Sequence, residues 1–69
     1  MHDLSLLAIT YKNIGETYKA LGDFNAALEY LNLSKTLFEE IKLNKDVSKV
    51  KNLIDQVKEK MAKEKDDIS

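Results

Sequence analysis

The side chains that could carry chemistry are few and poorly placed to carry it. Cysteine is absent, and the one histidine, His2, stands beside the start of the chain. Nucleophilic and acid–base catalysis need a nucleophile and a base held within hydrogen-bond reach, and no such pairing is legible here. A lone histidine without cysteine partners cannot assemble a zinc site of the usual kind. Glu39-Glu40 and Asp66-Asp67 are adjacent carboxylates. Neighbours on a helix point about 100° apart, so they cannot readily share a metal ion or a proton. The two glycines form no phosphate-cradling loop. Tyr11, Tyr18 and Tyr30 fall at core spacing, which makes them packing groups rather than acids or redox centres. No enzymatic activity, cofactor or metal is expected.

The charge pattern narrows the partners. Twelve acidic and eleven cationic residues give a formal net charge of −1, and they are interspersed. A duplex binder needs a concentrated positive face to displace counterions, whereas basic runs such as Lys58-Glu59-Lys60 carry their own carboxylate. Every cation is a lysine, so the planar forks that grip phosphate or guanine are missing. Nucleic acid is therefore not expected as a partner. The longest apolar run, Leu6-Leu7-Ala8-Ile9, is far short of the roughly 20 residues that cross a bilayer. Asp3 precedes that run where a secretory leader carries positive charge. No membrane partner is expected, and the expected location is cytoplasmic.

At 69 residues the chain makes one small domain with a modest core: 43% of them are hydrophobic, including three tyrosines and two phenylalanines. Without proline, long helices run unbroken. At about 100° per residue, helix 1 (about 4–21) places Leu4, Leu7, Ala8, Tyr11, Ile14, Gly15, Tyr18 and Leu21 on one face. Asp3 or Ser5 caps its start, Gly22 ends it, and Asp23 opens helix 2 (about 24–42). So short a turn makes the two helices antiparallel neighbours. Helix 2 is apolar over roughly 220°, from Phe24 through Leu28, Tyr30, Leu33 and Leu37 to Ile41, and so needs neighbours on two sides. Helix 3 (about 46–63) has a stripe of only about 120°, made by Val47, Val50, Leu53, Ile54, Val57 and Met61. Asn44 or Asp46 is its expected cap. Lys51/Asp55, Glu59/Lys63 and Lys60/Glu64 are spaced to pair along it. The domain spans residues 3–63, and 64–69 are expected to fray.

These positions resemble the tetratricopeptide repeat. Tyr11, Ile14-Gly15 and Tyr18, then Gly22-Asp23-Phe24, then Ala27 and Leu31, follow its signature in order and spacing over about 30 residues. The physical reasons stand without the name: Gly15 and Ala27 let two helices approach closely, and the aromatics fill around them. The closing proline of the family is replaced by Glu39, which suits the longer repeats of about 40 residues. Adding 40 carries Leu7 onto Val47, Ile14 onto Ile54 and Leu21 onto Met61. It also carries Tyr11, Gly15 and Tyr18 onto Lys51, Asp55 and Lys58. Helix 3 thus reads as the first helix of a second repeat whose outer face has turned polar, the way a solenoid is capped. The expected fold is all-α: an antiparallel tetratricopeptide-type hairpin plus a third, capping helix.

The resemblance implies a protein-interaction module whose ligand lies along the first helix of each repeat. By position those residues are Ile9, Lys12, Asn13, Glu16, Lys19 and Ala20, with Leu6 beside them on the helical wheel. Leu6, Ile9 and Ala20 bordered by Lys12, Asn13 and Lys19 suit an amphipathic helix or an extended peptide. Lys12 and Asn13 fit part of the carboxylate clamp of chaperone-tail-binding members, but Glu16 would repel a carboxylate. Such a module suits the C-terminal end of a longer array. The alternative is a self-assembling structural protein, because one and a half repeats fall short of the roughly three that solenoids need. Dimerisation, or exchange of helix 3 through residues 43–45, would then supply the missing burial.

Overall fold

A computed structural model of the chain describes residues 3–68, with side chains as far as Glu64; His2 and Ser69 lie outside the described residues. Helix α1 (Leu4–Leu21) begins where the Asp3 carboxylate accepts the N–H groups of Ser5 and Leu6 at 3.1 and 3.2 Å. The Ser5 hydroxyl donates to the same oxygen at 2.6 Å. Those bonds favour the ionised form and hold the Asp3 carboxyl below its ordinary value of 3.8. Gly22, at φ 83°, closes α1 in the left-handed conformation, donating to the Lys19 carbonyl while Asp23 N–H reaches Tyr18. Asp23 then accepts the Ala26 N–H at 3.2 Å and opens α2 (Phe24–Glu40). Both expected caps and the terminating glycine are in place.

The second turn departs from expectation. α2 stops at Glu40, not at Lys42, because Lys42 itself adopts a positive φ of 61°. Its N–H donates to Glu39, and Leu43 N–H reaches back to Phe38, which is the closure that Gly22 makes, here built on a lysine. Helix α3 runs from Asn44 to Ile68. Its first turn is satisfied by the Leu43 carbonyl, which accepts from Asp46 and Val47, so neither Asn44 nor Asp46 is the residue that precedes it. At the other end helix persists through 64–68, where fraying was expected; no glycine or proline interrupts it. Of the three pairs spaced along it, Glu59 and Lys63 approach to 3.7 Å among the described residues.

α1 and α2 pack antiparallel and close. A Cβ added at Gly15 would lie 2.7 Å from Leu31 Cγ and 3.2 Å from the Ala27 carbonyl, so only glycine fits this crossing. One turn away, the buried Ser34 hydroxyl donates to the Ala8 carbonyl at 2.7 Å, leaving no polar atom stranded between the helices. The core continues through α2 into α3: Ala8, Ala27, Leu31 and Phe38 are buried together with Val50, Ile54 and Val57. Helix α2 is therefore the middle layer, as its wide apolar arc requires. In a closed bundle the outer helices would also pack on each other, whereas α1 and α3 meet only marginally. The result is an open, layered slab with Cα extents of 49 × 19 × 12 Å. No helix among the described residues is long and apolar enough to cross a membrane.

Candidate protein-docking surfaces

α3 lies along one edge of the α1–α2 hairpin and α1 lines the same valley from the other side. Three of the seven residues singled out in the sequence gather there: Glu16, Lys19 and Ala20 face Leu53 and Lys60 across a groove of about 280 Å³. Lys19 Nζ donates to Gln56 Oε1 and ties α1 to α3 across it. Lys12 and Ile9 fall on this side of α1 one and two turns before Glu16; Ile9 is 41% exposed and Lys12 half-buried. The groove is mixed in character: Ala20 and Leu53 are aliphatic, and Glu16, Lys19 and Lys60 bring charges of both signs.

The other two candidates sit apart. Leu6, 61% exposed, lines a shallow depression with Asp3, Leu4, Leu7 and Thr10 at the start of α1. Asn13 is exposed, and its carbonyl accepts the Thr17 hydroxyl at 2.9 Å. The seven residues thus do not form one continuous patch: five lie on the groove side of α1, Leu6 at its N-terminal end and Asn13 exposed at its middle.

A further apolar surface, not marked by the sequence pattern, lies on the hairpin edge away from α3. The ring of Tyr30 lies 5.6 Å from Tyr18, nearly parallel to it, and 6.0 Å from Tyr11. These three rings cover one side of the hairpin seam. Beyond them on α1, the helical period places Leu7, Thr10, Ile14, Thr17 and Leu21 along one line. Leu7 is 40% and Leu21 74% exposed. On α2, Leu33 lies on the same edge at 44% exposed, beside half-buried Leu37. Charges border this edge unevenly: Glu29 and Glu40 lie one and two turns from Leu33, and Asp3 stands one turn before Leu7. The hairpin's lysines Lys12, Lys19 and Lys35 fall on the opposite side, toward α3, where Lys19 meets Gln56. The signal that could have found this edge was the forty-residue register itself.

Comparison of the chain with family models, with curated proteins and with solved structures gave no match. Among the described residues no group of three or more His, Cys, Asp or Glu side chains is placed to hold a metal ion.

Proposed function

We propose that the chain is a protein–protein interaction module of tetratricopeptide type that docks a peptide or helix of a partner along α1. The observation that carries this reading is the α1–α3 valley, where two helices forty residues apart in register run side by side. Between them lie aliphatic side chains, two lysines and a carboxylate. Such a trough offers an extended segment apolar contact along its floor and polar anchoring at its rim. Ile9 and Lys12 extend the trough toward the start of α1.

Replacing Ile9 by Asp, or Lys12 by Glu, tests it. Each variant should keep the wild-type circular dichroism melt and yet lose several-fold in recovery of the protein that co-purifies from the native source. Unchanged recovery with both variants would remove the trough as the docking site.

A second reading, homo-oligomeric assembly, is favoured by the leucines left exposed at positions 4 and 6, at the start of α1. Light scattering across a concentration series separates the two: a mass that stays monomeric ends the assembly reading.

A further inference from the structure

α3 buries Val50, Ile54 and Val57 against α2, with Val47 and Met61 partly buried at the two ends of the row. Forty residues earlier the same five positions are Leu7, Thr10, Ile14, Thr17 and Leu21. They form the line on α1 that no helix covers. The two threonines match valine in shape but differ by a hydroxyl, which is normally costly to bury. Here the cost is already met: Thr10 donates to the Leu6 carbonyl and Thr17 to the Asn13 carbonyl, both at 2.9 Å. Their methyl groups are free to pack outward as Val50 and Val57 do.

We infer that this open edge is a second docking surface, distinct from the trough, and that its occupant is an amphipathic helix with lysine or arginine along its margin. What covers the matching row on α3 is a helix, α2, lying alongside it. From Leu7 to Leu21 the row is about 21 Å long at 1.5 Å per residue, so the occupant needs about four helical turns. Its margin is set by charge. The groups bordering the edge are Asp3, Glu29 and Glu40, with Lys12, Lys19 and Lys35 turned to the far side and, among the described residues, a single cation, Lys42, in the turn after Glu40. A basic margin pairs with these carboxylates and an acidic one is repelled. The same rim argues against a second copy of this chain. Edge against edge brings carboxylates together, and the outer face of α3 offers Lys51, Asp55 and Lys58, all exposed, in place of an aliphatic row.

Fluorescence anisotropy with two labelled model peptides tests the inference. Both are amphipathic 18-residue helices with leucine on one face; one carries lysine at every other position and the other glutamate. At about 0.15 M salt, where only short-range charge pairs survive screening, the wild-type chain should bind the lysine peptide at least ten-fold more tightly. Glu29→Lys with Glu40→Lys should reverse that order. Asp55→Lys with Glu59→Lys, the same change of net charge placed on α3, should leave it as it was. Leu7→Lys with Leu21→Lys, at exposed positions, should abolish binding of both peptides without altering the circular dichroism spectrum. Ile9→Asp should leave peptide binding intact, so a failure of the trough reading is distinguishable from a failure here. Equal affinity for the two peptides, loss on Ile9→Asp, or retention by the Leu7/Leu21 variant would overturn the inference. So would a stable dimer in light scattering that Leu7→Lys with Leu21→Lys dissociates, since the edge would then belong to a second copy.

Discussion

Helices α1 and α3 occupy corresponding places forty residues apart, and they differ in how many faces they commit to packing. α1 presses Ala8 and Gly15 onto α2 and still carries an aliphatic row on its other flank. α3 buries Val50, Ile54 and Val57 on α2 and turns Lys51, Asp55 and Lys58 to water. The lesson is that register fixes where a face points, while the residues on the opposite face decide whether the stack can continue. α1 leaves an aliphatic flank open, whereas α3 leaves a charged one.

The hardest blow to that comparison falls on the pair Gly15 and Asp55. Gly15→Leu should cost about 1–3 kcal/mol, because even a Cβ would lie 2.7 Å from Leu31 Cγ and 3.2 Å from the Ala27 carbonyl, so the crossing must rearrange. That is a large share of the roughly 3–5 kcal/mol that a core of this size supplies. The matched change Asp55→Leu, on an exposed face, should stay within about 0.5 kcal/mol. Urea unfolding followed by circular dichroism reads both, and equal losses would erase the distinction between the helices.

A smaller effect, of opposite sign at the two turns, sharpens it. Gly22→Ala forces a side chain into the left-handed region with nothing nearby to clash, so it should cost about 1–2 kcal/mol of backbone strain alone. Lys42→Gly relieves the same strain at the α2–α3 turn and should stabilise by about 0.5–1 kcal/mol, less the added freedom of the unfolded chain. Melting temperatures that move in the same direction for both would show that the turns are not equivalent closures.

The smallest effect separates the helix starts. The Asp3 carboxyl is held below its ordinary value by the Ser5 hydroxyl and the Leu6 and Ser5 N–H groups, so its contribution is complete above that value. It is lost as pH falls through the depressed one. Acid melts should therefore show a loss in the wild-type chain that Asp3→Asn lacks.

Much of the fold was legible because local chemistry and global packing agree. Asp3, Gly22 and Asp23 are cap residues acting as caps, and Gly15 marks the closest helix approach. The second turn was harder because lysine carries no preference for a positive φ; at Lys42 the closing bonds from Lys42 and Leu43 impose it. The end of α3 was placed too early because the apolar stripe stops at Met61, and a helix need not stop with its last buried residue. The trough was half legible: spacing put Glu16, Lys19 and Ala20 on one side, but only packing shows Leu53 and Lys60 opposite them. The open edge escaped for a physical reason. A stripe of leucine and tyrosine reads as core, and nothing in α1 itself tells which half of the stripe its neighbours will reach.

The bond between Lys19 and Gln56 has a mechanical consequence. Among the described residues it is the one side-chain hydrogen bond that bridges α1 and α3, and it is exposed. Breaking such a bond in water costs only about 0.5–1.5 kcal/mol. The width of the gap between α1 and α3 is therefore set by how each of them packs on α2, at the Gly15 crossing and along the row Val50, Ile54 and Val57, far more than by this one tie.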